Sequence, residues 1–387
     1  MEPPPAPRRP RALTVAAVVA YAIVTGAVAR NAYLDREWNF DAVPYVAVAI
    51  SLSDGDPASV HRRVYDELQS AVPEQAFHAL TDASEYRKAL HSNPIALATQ
   101  RPLYINKPLY VAAIAGLHGV GVNGFGATRI ISVAAFVALS IIVLLWLRDA
   151  HCGPVHIVVA GVLLVARPVV ELASLSTPDA ACVVPLVAGA WLVTTSRRKG
   201  LAVLIASVAI LFRPDAGIMV LLLAGWATLF ARRDRLSRRT LAAASAAIIV
   251  ATLLLQKIIG ATSMPVLLHH VFETRLYSPE RMNDAITWSG YVSAIRKGLG
   301  GYGLYRGSDL ALHLVVSGMS IIAVVTSRRE VLRPFLGWSA LIWTYVLIHF
   351  LVLPDPSDRY FAPTYLLAAL GAICFAFAPR SVAAENR

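Results

Sequence analysis

Residues 127–148 read ATRIISVAAFVALSIIVLLWLR. Wound as a helix rising about 1.5 Å per residue, an apolar run of this length crosses the ~30 Å hydrocarbon core of a bilayer. Comparable runs stand at 12–29 before it and at 154–172, 179–195, 200–212, 215–231, 240–258, 309–326, 334–353 and 363–379 after it. The run at 200–212 is short for a crossing. Composition points the same way: the 387-residue chain is 57% hydrophobic and only 15% charged, against about 25% charged in an average soluble domain. Its mean hydropathy is +0.58. These values exclude a water-soluble protein and predict an all-α, polytopic transmembrane helix bundle, with ten spans if every run crosses.

The arginines set the orientation. A proline- and arginine-rich start, 1–11, runs directly into 12–29. Ala27-Val28-Ala29 resembles a cleavage site, but a signal h-region spans about 7–15 residues and this run is longer, which predicts an uncleaved first span. Basic residues then cluster between runs: Arg8, Arg9 and Arg11; Arg148; Arg197, Arg198 and Lys199; Arg232, Arg233, Arg235, Arg238 and Arg239; Arg328, Arg329 and Arg333; Arg380 and Arg387. The positive-inside rule places these segments, and both termini, in the cytoplasm. The net charge of +11 therefore reads as a topology signal and not as a nucleic-acid surface. The expected layout is a tail at 1–11, a transmembrane domain at 12–379 and a tail at 380–387. Two long loops, 31–126 and 259–308, fall on the outer side, where loops of such length usually carry function. The stretch from Pro108 to Val120 is too short to cross and predicts an interfacial helix within the first.

Ionisable groups near membrane depth are costly, about 2.5–3.5 kcal/mol each on insertion scales, so each asks for a reason. On this topology several gather at the outer face. Asp41 follows the first span, with Tyr45 close behind. Lys107 precedes Pro108. Asp179 opens the fourth span in Ser176-Thr177-Pro178-Asp179, where Thr177 suits an N-cap and Pro178 the first turn. Arg213 and Asp215 flank Pro214, and Arg359-Tyr360-Phe361-Ala362-Pro363 sits in the last outer turn. Arg167 and Glu171, spaced i and i+4, read as a structural pair, with Glu171 a candidate support for the group.

Other features read as ordinary. His269 and His270 have no further spaced histidine to make a metal site. Cys152, Cys182 and Cys374 share no ligand spacing and lie at different depths. The glycine-rich 297–303 segment lacks the preceding strand of a phosphate-binding loop. Trp288, Tyr291, Tyr302 and Tyr305 give the second outer loop two readings, closure over a substrate or anchoring at the interface.

An enzyme on the outer face has no ATP, and no Walker or Rossmann motif is present. Its activated substrate must arrive through the lipid, and a polyprenyl-phosphate sugar meets that need. Displacing a lipid phosphate from an anomeric carbon calls for a carboxylate general base, a role suited to Asp41. It also calls for fixed cations to take up charge on the departing phosphate, a role open to Lys107, Arg213 and Arg359. Asp179 can orient the acceptor or help hold a divalent cation.

These motifs, in this order, resemble the GT-C integral-membrane glycosyltransferases. The pattern is close to that of the protein O-mannosyltransferases and the lipid A aminoarabinose transferases. The points of likeness are Asp41 after the first helix, Lys107-Pro108-Leu109-Tyr110, Thr177-Pro178-Asp179-Ala180, Arg213-Pro214 and the late Arg359-Tyr360-Phe361-Ala362-Pro363. The resemblance implies a GT-C bundle with interfacial helices in its first outer loop. It implies an inverting transferase of the bacterial cytoplasmic membrane that works on the outer face. In it Asp41 is the catalytic first-loop aspartate, Lys107 a cation near the lipid phosphate and Asp179 a second outer carboxylate. Two details depart from the pattern. Ala42 stands where many members carry a second acid, leaving Asp35 and Glu37 as neighbouring candidates, and Lys-Pro-Pro is reduced to Lys107-Pro108-Leu109. Two other classes compete: a transporter or flippase, whose usual internal duplication is not visible here, and a degenerate relative that serves as an assembly partner.

Overall fold

The computed structural model describes residues 11–34, 38–196, 199–230, 235–305, 318, 329–355 and 358–376. Among them all regular structure is helical. The first helix, α1 (Arg11–Leu34), leads into a cap of short helices: α2 (Ala42–Ser51), α3 (Pro57–Ala71), α4 (Glu74–Thr81), α5 (Glu85–Ser92), α6 (Pro94–Ala98), α7 (Arg101–Tyr104) and α8 (Pro108–Gly119). Next come α9 (Gly124–Asp149), α10 (Pro154–Leu164), α11 (Arg167–Ser174), α12 (Asp179–Thr195), α13 (Lys199–Ser207), α14 (Ala209–Phe212), α15 (Ala216–Phe230) and α16 (Arg235–Ile258). The chain then forms α17 (Met264–Phe272), a 3-10 turn at Pro279–Arg281, α18 (Trp288–Tyr305), α19 (Arg329–Val352) and α20 (Asp358–Gly371).

Among the described residues three helices are long and apolar enough to cross a membrane: α1, α9 and α19 from Pro334 onward. A fourth span results if α10 and α11, bent by 60°, are taken together. The sequence reads 154–172 as one crossing, and the bend has a local cause. Pro168 has no N–H to give and its ring clashes with the preceding turn, so the helix breaks at Val165-Ala166. The expected spans at 179–195, 200–212, 215–231 and 240–258 are shorter apolar helices, the described part of 363–379 lies in α20 and the turn after it, and the run at 309–326, Gly318 apart, lies outside the described residues. Exposed apolar side chains stud α1 (Val15, Ile23), α10 (Val155, Val162) and α16 (Leu253, Ile258). Such an outward apolar surface suits a membrane-embedded protein.

The apolar helices pack through small residues. Gly189 of α12 faces α13 so closely that an added Cβ would stand 2.6 Å from Ala206 Cβ and 2.8 Å from the Ala202 carbonyl oxygen. A glycine is what permits that approach. Around this contact α9, α12, α13 and α15 bury Phe136, Trp146, Leu186, Val203 and Leu223 in one core.

The segment 38–126 has a core of its own. Within it the expected interfacial helix is 108–120, yet α2, whose run AVPYVAVAI at 42–50 is equally apolar in the sequence, is the more deeply buried helix, with every residue from Ala42 to Ile50 inside. Ten residues cannot span a bilayer; apolar on all sides, α2 instead becomes the centre of the cap, packed by Val64, Leu68, Leu97 and Ile114. Glu67 locks the cap to α9. Its carboxylate accepts hydrogen bonds from the Gly124 N–H (2.7 Å) and from His118 Nε2 (2.7 Å). Asn123 caps α9 and donates 3.1 Å to the Glu67 carbonyl. Asp35, Glu37 and the tails at 1–10 and 380–387 lie outside the described residues.

Candidate functional site

Each charged residue of the site stands where a helix starts or stops. Asp41 occupies the N-cap position of α2 and Lys107 that of α8, and neither side chain caps its own helix. Both are therefore free for other work. Pro214 pushes Arg213 into extended backbone (φ −153°, ψ 117°), which ends α14 and turns the guanidinium inward. At α12 the expectation needs correcting: Pro178 holds the N-cap position, and Thr177 lies one residue further out. The Thr177 hydroxyl donates 2.6 Å to the Asp179 carboxylate and not to the helix N–H groups. A carboxylate is the stronger acceptor.

Two ionic groups meet on the Tyr360 ring. In the buried group, Arg213 donates to Asp179 and, through Nε (3.1 Å) and Nη2 (2.5 Å), to both oxygens of Asp215. His349 Nε2 lies 2.9 Å from Asp215 Oδ2. The buried Asp215 carboxylate is thus held from two sides, by the Arg213 guanidinium and by His349. In the more open group, Arg359 Nη1 donates 3.1 Å to Asp41 Oδ2, and the Tyr104 hydroxyl lies 3.3 Å from Oδ1. Arg213 and Arg359 sit 4.4 and 4.9 Å from the Tyr360 ring centroid, and Arg359 also donates 3.0 Å to the Tyr360 hydroxyl. The side chain of Asp41 is 32% exposed and that of Asp179 only 4%. Asp41 is thus the carboxylate within a ligand's reach, and Asp179 a fixed counter-charge for Arg213.

Lys107 differs from both arginines. Its ammonium lies 5.2 Å from the Tyr45 ring and 5.6 Å from the Tyr104 ring, and no carboxylate pairs with it among the described residues. Burial, with the neighbouring Arg213 charge, pushes it down to about 8 against the opposing pull of Asp41.

All these residues line one cavity of about 810 Å³: Asp41, Tyr45, Lys107, Asp179, Arg213, Asp215, Arg359 and Tyr360. One wall is apolar, built from Ile218 and Leu221 of α15 and Ile249 and Leu253 of α16. Among the candidates that fall within the described residues, Glu171 alone stands apart. It pairs with Arg167 at 2.8 Å, whose side chain is 73% exposed, and does not border the cavity; an exposed helix pair of this kind contributes little. His349, His270 and Arg275 join the site without having been expected there. For His349 the signal was present, an ionisable side chain within the apolar run 334–353.

No group of three or more His, Cys, Asp or Glu side chains that could hold a metal occurs among the described residues. Asp41, Asp179 and Asp215 each face a guanidinium instead. The donor set suits an anion better than a cation. Comparison of the chain with known proteins finds no matching family model, no matching curated protein and no matching solved structure.

Proposed function

We propose that the protein is an inverting glycosyltransferase of GT-C type, moving a sugar from a polyprenyl-phosphate donor to an acceptor hydroxyl at the outer face of a bacterial cytoplasmic membrane. In this reading about ten runs cross, both termini are cytoplasmic and the helices of 31–126 roof the site. The observation that carries it is the shared cavity. A reachable carboxylate, an ammonium without a carboxylate partner among the described residues and two anchored guanidiniums converge from four separate stretches of chain beside an apolar wall that suits a prenyl tail.

The chemistry then follows from position. The donor phosphate lies against Lys107, with Arg213 behind it, and its prenyl chain lies along Leu221, Ile249 and Leu253. The acceptor oxygen attacks the anomeric carbon from the face opposite the phosphate, forming the new C–O bond, and its proton passes to Asp41. The old C–O bond breaks with its electron pair staying on the phosphate oxygen, where the fixed cations stabilise it. The Asp179 and Asp215 carboxylates keep Arg213 in place through the event, so little reorganisation is needed.

The decisive test is transfer from a radiolabelled polyprenyl-phosphate sugar by membranes containing the protein. Asp41→Asn is expected to lower turnover by about 10²–10⁴-fold while leaving expression and thermal stability near wild type. A well-folded Asp41→Asn protein with full turnover overturns Asp41 as the base.

A further inference from the structure

The second outer loop brings a polar pair to the cavity that the transfer step above does not use. His270 on α17 is 3% exposed, and its Nδ1 accepts a 2.9 Å hydrogen bond from the Leu276 N–H. An uncharged imidazole whose Nδ1 accepts must carry its proton on Nε2. Burial, with Arg275 nearby, pushes the ring down to about 4 against the pull of Asp41, so at neutral pH Nε2–H is a donor. It has no partner among the described residues, and His270 lines the cavity.

Arg275 is its neighbour there. Leu276 is clamped on both sides: its carbonyl accepts 2.8 Å from Gln100 Nε2, and Gln100 Oε1 takes the Tyr86 hydroxyl at 2.8 Å. Tyr86 packs on His270 at 5.5 Å and on Phe40, the residue before Asp41, at 5.5 Å. The Arg275 guanidinium stands 5.8 Å from the same ring and lines the same cavity. Its charge has no carboxylate partner among the described residues, whereas Arg213 and Arg359 are both neutralised. Lys257 also borders the cavity, but it lies in the last turn of α16, where the helix dipole already favours a cation.

We propose that His270 Nε2–H and the Arg275 guanidinium form a second anion subsite on the outer-loop wall beside Asp41, which takes a phosphate-type oxyanion carried by the acceptor. The word acceptor rests on the transferase reading; the subsite itself does not. Two anions then occupy the cavity together, the donor phosphate at Lys107 and the acceptor oxyanion at Arg275, with the acceptor hydroxyl held toward Asp41.

The test uses the full-length protein in phosphatidylcholine nanodiscs, titrated with inorganic phosphate while undecaprenyl phosphate is in excess. Phosphate is expected to bind alongside undecaprenyl phosphate. Arg275→Gln is expected to weaken phosphate by about tenfold or more without changing undecaprenyl-phosphate affinity, and Lys107→Ala to do the reverse. Because Arg275 is exposed, its loss should not disturb folding; His270→Phe, which keeps a ring but removes the donor, is expected to weaken phosphate as well. Complete displacement of phosphate by undecaprenyl phosphate, or no effect of Arg275→Gln, overturns the subsite. If undecaprenyl phosphate does not bind while Arg275-dependent phosphate binding persists, the transferase reading falls and the subsite stands. Adding phosphatidylglycerol to the discs separates the sources: Arg275-dependent competition identifies a lipid headgroup, and undiminished phosphate binding identifies a free phosphate compound.

Discussion

Lys107 responds to pH because its ammonium is buried without a carboxylate to balance it among the described residues. With its value near 8, the charged form prevails at neutral pH and is lost as the pH climbs. Affinity for a lipid phosphate should therefore be flat up to neutrality and fall as the pH rises beyond about 8, while Lys107→Arg, which keeps its charge, should remove that fall. Titrating undecaprenyl-phosphate binding across this range checks both. An unchanged pH profile in Lys107→Arg would mean that another group titrates. His349 poses a different question, since its Nδ1 is buried without a partner among the described residues while Nε2 holds Asp215. His349→Phe should cost ~1–3 kcal/mol of stability by leaving Asp215 short of a donor. His349→Gln, whose amide can donate to the same oxygen, should cost less. Equal losses in thermal unfolding would show that packing against Tyr345 and Phe361 matters more than the hydrogen bond. At this scale much of the site is legible in the sequence. Asp41, Lys107, Asp179, Arg213 and Arg359 each interrupt the apolar pattern at the end of a run, where an ionisable group needs a reason. Glu171 satisfies the same rule and lies elsewhere, because the pattern gives depth along a helix but not the direction a side chain faces. Arg275 sits in a polar loop, where no contrast with neighbours marks it; His270 does interrupt the apolar MPVLLHHVF of α17, but a histidine pair alone does not say which way either ring faces.

Between elements, closeness is set by the smallest residues. Gly189 lets α12 and α13 touch, and the atoms a methyl would meet include backbone, which cannot rotate away. Gly189→Ala should therefore destabilise the bundle by ~1–3 kcal/mol. Gly225→Ala, inside α15 with nothing within 4 Å of the new methyl, should be neutral or stabilise by ~0.5–1 kcal/mol. Thermal unfolding of both variants in one detergent makes the comparison, and a stable Gly189→Ala protein would refute the close approach. The elements themselves were only partly readable. Run length finds α1, α9 and α19 directly. Pro168 breaks the run at 154–172, and the apolar run of α2 at 42–50 is too short to count as a crossing, so run length passes over it although its neighbours bury it as a core helix.

The whole molecule divides into a span region and a cap, and the proposed orientation assigns the cap to the outer face. That assignment is open to labelling with a membrane-impermeant maleimide in a cysteine-free background. Ala83→Cys, exposed on the cap between α4 and α5, should label in intact cells. Thr195→Cys, exposed at the far end of α12, should label only after permeabilisation. The opposite pattern would invert the topology and remove the site from the outer face.

Asp41 and Arg359, joined by one hydrogen bond, are 318 residues apart in the chain. At about 5–20 residues per second, a ribosome takes roughly 15–60 s to travel between them. For that interval the nascent cap must wait with its carboxylate unanswered, and a polypeptide terminated early never receives the counter-ion. Completion of the pocket thus reports that synthesis reached α20, which couples the onset of any chemistry there to delivery of one of the final helices.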